Sequence, residues 1–163
     1  MDGRNAAKDA TGIVDAGAGP AGKLDLGILD QTFGYLLRRA TRDVERRFQF
    51  YFRTVELTAP QFAIMILIER NADCTPGDLV QPIGISQNNL VGIIGDLVER
   101  GYVRKETDAR DRRARILSLT DAGREALATA HEAHSVYMKE YLDRVGEGNL
   151  AQLVRLLRMF DRG

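Results

Sequence analysis

A basic segment between two short apolar runs is the first part of this sequence whose side chains could bind a charged partner. Residues 103–115 carry six basic and three acidic side chains, in a chain of 163 residues with 23 basic and 23 acidic residues. They are Arg104, Lys105, Arg110, Arg112, Arg113 and Arg115, with Glu106, Asp108 and Asp111. Charged runs usually mark solvated loops, but arginine also suits a narrow, electronegative groove such as the DNA minor groove. For such a groove, Asp111 can hold a neighbouring arginine extended before DNA arrives.

A helix-turn-helix pattern precedes the basic segment and favours the DNA-binding interpretation. Thr75-Pro76-Gly77-Asp78 predicts the start of a short helix, which Pro82 and Gly84 end. Ser86 then has the position of a strong N-cap, and apolar residues follow it at helical spacing until Gly101. Two helices joined by a tight turn that contains glycine form a helix-turn-helix, with the Ser86 helix second.

The elements around this motif predict a mainly helical (α+β) fold. Four further helices begin at about Leu29, Thr58, Thr120 and Asn149. The one after Thr58 fits a buried helix, or a core strand on periodicity alone. Tyr102–Glu106 and Arg115–Leu119 predict a β-hairpin whose connection is the charged segment. The terminal helices have apolar stripes that so small a central unit cannot cover alone, so we expect them to pack against a second copy of the chain. The stripe of the last helix consists of Leu150, Leu153, Val154, Leu157 and Phe160.

Three stretches resemble the MarR-type winged-helix regulators. They are "DARDRRARILSLTDAG", where an Asp-x-Arg element precedes a strand ending Leu-Thr-x-x-Gly, "LTAPQFAIMILI" and "ISQNNLVGIIGDLVERGYV". The resemblance runs from about Leu29 to Phe160. It implies a winged helix-turn-helix with a β-hairpin wing and terminal helices that form a dimerisation domain. It also implies a homodimer that binds a pseudo-palindromic DNA operator. The dimer would release the operator when a small molecule binds between its dimerisation and DNA-binding parts.

The resemblance divides the chain and assigns its DNA contacts. We expect a mobile N-terminal arm at residues 1–27, a helical dimerisation region at 28–56 and 121–163, and a DNA-binding region at 57–120. The helix from Ser86 to Gly101 would lie in the major groove and read base edges. The residues assigned to DNA are Ser86, Gln87, Asn88 and Asn89 on this helix, and Arg104, Arg110, Asp111, Arg112 and Arg113 on the wing.

Two details of this assignment matter for DNA affinity. Arg113 is the favoured minor-groove arginine, and Asp111 would orient it. Val91 and Gly92 stand where the family often has a hydroxyl and a basic residue, so we expect fewer phosphate contacts from this helix.

An aromatic cluster at the end of the first long helix is the candidate effector site. Four aromatics fall within Phe48–Phe52, more than one helical face needs. Such a stripe is usually core or dimer interface, but in the family the pocket lies beside this helix. The candidate lining residues are Phe48, Tyr51, Phe52, Phe62, His131 and His134. Aromatic walls with nearby arginine and histidine suit an aromatic carboxylate or its acyl thioester, hence a role in aromatic compound catabolism.

Composition argues against other classes of function. No catalytic constellation is found, so we expect no enzyme, no cofactor and no metal site, although His131 and His134 could share a metal at helical spacing. Cys74 is the single cysteine, which excludes an internal disulfide and suits a cytoplasmic protein. No apolar run reaches the roughly 20 residues of a membrane span. The alternative function is a structural DNA-binding protein without an effector. Effector, operator sequence and the choice between repression and activation stay open.

Overall fold

The first long helix follows a short 3-10 turn. The structure is a computed structural model that describes residues 24–107 and 115–160. The turn spans Gly27–Gln31 and helix α1 spans Phe33–Phe52. Most of the predicted N-terminal arm, residues 1–27, lies outside the described residues.

Helix α2 spans Ala59–Arg70 and begins with the N-cap that the sequence predicts. The Thr58 hydroxyl oxygen accepts from the Gln61 backbone N–H at 3.4 Å, and Gln61 Oε1 accepts from the Thr58 N–H at 2.8 Å. This reciprocal pair satisfies two N–H groups that a helix start otherwise leaves open. The segment is therefore a helix and not a core strand.

The helix-turn-helix is formed by α3 and α4. A 3-10 turn at Gly77–Leu79 leads into α3, Val80–Ile83. Pro82 lies inside α3, so the expectation that it helps to end the helix is wrong. In so short a helix few N–H groups have an intrahelical partner, and a proline is tolerated. Gly84 ends α3 with φ +69°, a conformation that favours glycine. Ser86 caps α4, Gln87–Glu99, and confirms the predicted second helix.

Two antiparallel strands form the predicted hairpin. Strand β1 spans Val103–Thr107 and β2 spans Arg115–Leu119, with Val103 opposite Leu119 and Thr107 opposite Arg115. The Leu117 N–H donates to the Cys74 carbonyl at 2.8 Å, which ties β2 to the segment before α3. The fold is thus a winged helix-turn-helix, mainly α with one small sheet.

A tight junction connects the hairpin to α5, Asp121–Val145. The Thr120 hydroxyl accepts from the Gly123 N–H at 2.9 Å and donates to the Gly101 carbonyl at 2.6 Å. The Thr120 N–H donates to the Tyr102 carbonyl at 3.0 Å. A Cβ built on Gly123 would lie 2.0 Å from the Tyr102 carbonyl oxygen, so the junction leaves no room for a side chain there.

The hydrophobic core joins the end of α1 to α2, α4, the hairpin and α5. Its most deeply buried large side chains include Phe52, Ile64, Met65, Leu90, Ile94, Leu97, Leu117 and Leu127. Because α4 contributes three of these, the helix is held by its apolar face while its polar face stays in solvent.

The last helix, α6, spans Glu147–Leu157 and so begins slightly before the predicted start. None of its residues is buried. Leu153, Val154, Leu157 and Phe160, from the predicted apolar stripe, are exposed by 41% to 69%. In residues 24–44, the described part of the first of two compact units, Ile28 and Phe33 are likewise exposed.

Candidate nucleic-acid interface and ligand cleft

The start of α4 presents side-chain amides to solvent. Gln87, Asn88 and Asn89 are exposed. Their side chains hydrogen-bond to no other described residue, whereas the Asn89 backbone N–H donates to the Ser86 hydroxyl at 3.4 Å. An amide that is free at both its C=O and its NH2 can pair bidentately with an adenine edge. The cap fixes the backbone and leaves the amides available.

The remaining outer face of α4 is neutral or acidic. Val91 is 53% exposed. A Cβ added at Gly92 or Gly95 would meet no atom within 4 Å, so both glycines face open space. Asp96 follows on the same side and accepts from Gln61 Nε2 of α2 at 2.6 Å. This face has no cation of its own, in line with the departure noted in the sequence.

In the described part of the hairpin, Arg104 and Arg115 each make a cross-strand contact. Arg104 Nε donates to the Ser118 hydroxyl at 2.8 Å and lies 3.6 Å from Glu106 Oε1. Arg115 Nη1 donates to the Thr107 hydroxyl at 2.6 Å. The other predicted wing residues, Arg110, Asp111, Arg112 and Arg113, lie outside the described residues.

The predicted effector residues belong to one aromatic cluster. Phe48 and Phe52 stack with ring centroids 3.8 Å apart, and Phe62 meets them at 6.2 Å and 5.0 Å. On the α5 side of Phe62, the rings of His131 and His134 lie 5.7 Å and 5.5 Å away. Tyr51 is part of the same cluster through Tyr137, which its ring approaches at 6.1 Å.

Only Phe48 and Phe52 of the predicted set line the cleft beside this cluster. The cleft has a volume of about 430 Å³. Its walls are Glu45, Phe48, Gln49 and Phe52 of α1, with Arg53, Glu56, Leu57, Thr58, Ala59 and Pro60 of the connection to α2. The cluster residues Tyr51, Phe62, His131 and His134 do not line it.

Charged and polar cleft residues are what the sequence reasoning missed. Glu45, Gln49, Arg53 and Glu56 recur with Phe48 and Phe52 at three- and four-residue steps, and that stripe was the available signal. Arg53 Nη1 donates to the Phe50 carbonyl at 2.7 Å, and its guanidinium lies 4.3 Å from the Phe50 ring centroid. The cleft thus combines two aromatic rings with one cation and two carboxylates.

One histidine of the aromatic cluster, His134, favours its neutral form. Burial lowers the pKa of His134, and the neighbouring His131 lowers it further. His131 Nε2 lies 3.9 Å from Glu69. Among residues 24–107 and 115–160, no group of three or more His, Cys, Asp or Glu side chains could hold a metal ion. Burial also raises the pKa of the Cys74 thiol, and Asp78 adds to the effect, so the reactive thiolate is disfavoured.

Comparisons with known proteins agree with this geometry. The sequence model of the MarR family matches residues 56–114. The transcriptional regulator HosA of Escherichia coli O157:H7 is 30% identical over 103 residues, which are 63% of this chain and 76% of HosA.

No helix in the described part of the chain is long and apolar enough to cross a membrane.

Two solved regulators have a similar fold. The transcriptional repressor CouR bound to a 23-mer DNA duplex has a TM-score of 0.83 and 30% identity, covering 86% of this chain and 99% of CouR. CouR bound to p-coumaroyl-CoA has a TM-score of 0.79 and 28% identity over the same shares. BpsR of Bordetella bronchiseptica, whose DNA binding is regulated by 6-hydroxynicotinic acid, has a TM-score of 0.76 and 25% identity, covering 82% of this chain and 96% of BpsR.

Proposed function

The chain belongs to the MarR family of transcriptional regulators, and we propose that it is a repressor that binds a pseudo-palindromic operator as a homodimer. In this proposal residues 57–120 bind DNA, and residues 28–56 and 121–163 form the dimer. A small aromatic acid or its acyl thioester occupies the cleft and releases the operator.

One observation carries the DNA-binding part of the proposal. The first turn of α4 exposes three amide side chains that bond to no other described residue, on a helix fixed from behind by its buried apolar face. Such a helix can enter the major groove with its readers already exposed. Val91, on the same outer surface, is the apolar group that would meet a thymine methyl.

We expect Asn88→Ala to weaken binding to the preferred operator by about 1–3 kcal/mol, because a bidentate amide–adenine pair is lost. Binding to unrelated DNA should change little. The preferred operator is first obtained by selecting random duplexes with the parent protein, and both affinities are then measured by titration of labelled DNA. Asn71→Ala is the matched control, since that exposed amide, at the C-cap of α2, bonds to the Leu67 carbonyl of its own helix.

Loss of affinity without loss of sequence preference in Asn88→Ala would remove α4 as the reader. A parent protein that selects no preferred duplex would favour the structural DNA-binding alternative.

The effector part of the proposal is supported by the chemistry of the cleft. Stacked Phe48 and Phe52 offer a flat apolar surface, and Arg53 offers a guanidinium that can bind a carboxylate. CouR binds p-coumaroyl-CoA and BpsR responds to 6-hydroxynicotinic acid. Both compounds combine an aromatic ring with an acid or an acyl thioester, which is the class that these walls fit.

We expect p-coumaroyl-CoA, p-coumaric acid or 6-hydroxynicotinic acid to raise the melting temperature of the protein. A ligand at about 100 times its Kd adds about 2.7 kcal/mol to the free energy of unfolding. Arg53→Gln should reduce the shift, whereas Arg70→Gln, at the end of α2 and outside the cleft, should leave it intact. Equal shifts in both variants would show that the ligand binds elsewhere.

A further inference from the structure

A buried glutamine connects the start of α2 to the outer side of α4. Gln61 is a polar residue and is only 8% exposed, so it is buried together with the described residues of the hydrophobic core. Its Oε1 accepts from the Thr58 N–H at 2.8 Å, and its Nε2 donates to Asp96 Oδ2 at 2.6 Å. Both ends of one amide are therefore in use, one on the helix cap and one on α4.

A second bond joins α4 to the same connection. Arg100, the C-cap of α4, donates from Nη1 to the Glu56 carbonyl at 2.8 Å. Glu56 has φ +55°, a left-handed conformation that costs a residue with a side chain roughly 1–2 kcal/mol. The surrounding contacts must hold this conformation, and the bond from Arg100 is one of them.

Both connections reach a wall of the cleft: Arg100 bonds to Glu56 directly, and Asp96 is connected to Thr58 through Gln61. Glu56 and Thr58 line it directly, and Leu57, Ala59 and Pro60 complete that wall. Gln61 follows Pro60 directly, and its side chain links the Thr58 N–H to the Asp96 carboxylate. A molecule that displaces this wall therefore moves the groups that bond to the C-terminal part of α4, at Asp96 and at its C-cap Arg100.

We propose that Gln61, Asp96 and Arg100 are positioning residues that set the orientation of α4 from the cleft wall, so that effector binding is transmitted to the DNA reader through them. This inference rests on the proposed function of α4 and of the cleft. A buried amide has few alternative partners, so a shift of Thr58 forces Gln61 to lose one of its bonds or to pull Asp96 with it.

A pair of substitutions at Asp96 isolates the hydrogen bond from the charge. Asp96→Asn keeps an oxygen that accepts from Gln61, Asp96→Ala keeps none, and both remove the same negative charge. We expect the alanine variant to bind the selected operator about five- to tenfold more weakly than the asparagine variant. Equal affinities of the two variants, with unchanged circular dichroism, overturn the proposal.

An exchange of donor and acceptor provides a rescue. Gln61→Glu keeps the acceptor for the Thr58 N–H but sets a carboxylate against Asp96, so operator affinity should fall. Adding Asp96→Asn restores a bond, because the asparagine NH2 can donate to the new carboxylate. Recovery of operator affinity in the double variant supports a positioning role. An affinity loss in the double variant equal to the sum of the losses of the two single variants contradicts it.

The third readout uses p-coumaroyl-CoA as the probe and separates this inference from the proposed effector. In the parent and in Asp96→Asn, the probe should weaken operator binding, and in Asp96→Ala this response should shrink while the thermal shift persists. A full response in Asp96→Ala overturns the transmission. If no variant shows a thermal shift, the proposed effector class fails, and the two DNA-only comparisons still decide the positioning role.

Discussion

Gly123→Ala is expected to lower the free energy of unfolding by about 3 kcal/mol, the upper end for a side chain forced into a packed site. The added Cβ would lie 2.0 Å from the Tyr102 carbonyl oxygen and 2.9 Å from its carbon, and these are backbone atoms that cannot rotate away. The same carbonyl accepts from the Thr120 N–H at 3.0 Å, so moving it also disturbs the cap of α5. For a chain of this size the melting temperature should fall by roughly 6–12 °C.

The matched control is Gly95→Ala in α4. A Cβ there meets no atom within 4 Å, so the change brings only the higher helix propensity of alanine, about 1 kcal/mol in favour of the fold. The two glycine-to-alanine substitutions should therefore change the free energy of unfolding in opposite directions. Denaturant titrations at one protein concentration measure both changes. A midpoint for Gly123→Ala equal to that of the parent would contradict the close junction.

Leu157→Glu is expected to convert the proposed dimer into monomers at micromolar concentration. Leu157 lies on the exposed stripe of α6 with Leu153 and Val154, and Phe160 follows the helix and is also exposed. Each large apolar side chain buried in a dimer is worth roughly 1.5–3 kcal/mol, and an unpaired buried carboxylate adds a further cost. The dimer Kd should rise more than about 100-fold, since every 1.4 kcal/mol is a factor of ten. Sedimentation velocity measures the change directly.

Operator binding should fall with the dimer, because two half-sites are then bound independently. Ala151→Glu is the control on the same helix, since it adds the same charge on the face that carries Arg155, one turn further on. That variant should stay dimeric and bind the operator. A dimeric Leu157→Glu protein would place the interface elsewhere.

Local signals made much of the fold predictable. Thr58, Ser86 and Thr120 each follow a loop and precede an apolar stripe, and each caps the helix that its position indicated. Capping depends on residues within one turn, so it can be read from a short stretch of sequence. The hairpin was equally clear from its two β-forming runs.

The features that depend on distant residues were not predictable in this way. Gln61 and Asp96 are 35 positions apart, and nothing near either one indicates their bond. The Leu-Thr-x-x-Gly pattern marked Gly123, but only the structure gives the reason, which is the carbonyl of Tyr102. The cleft was found only in part: the aromatic residues Phe48 and Phe52 stood out, whereas Arg53 did not, because a charged residue in a helical pattern normally indicates a solvent-exposed face.

The lack of cations on the outer face of α4 has a consequence for how the protein responds to ionic strength. Residues 80–99, which include α3 and α4, hold no lysine or arginine. Condensed counterions are released from DNA by cations near phosphates, and each phosphate neutralised steepens the fall of log Kobs with log salt by about 0.9. Helices α3 and α4 therefore add no cation that would steepen that slope. In the proposed function, in which α4 reads the operator, sequence discrimination and the salt dependence of binding are carried by different parts of the molecule, and the preference for operator over bulk DNA should persist as salt rises.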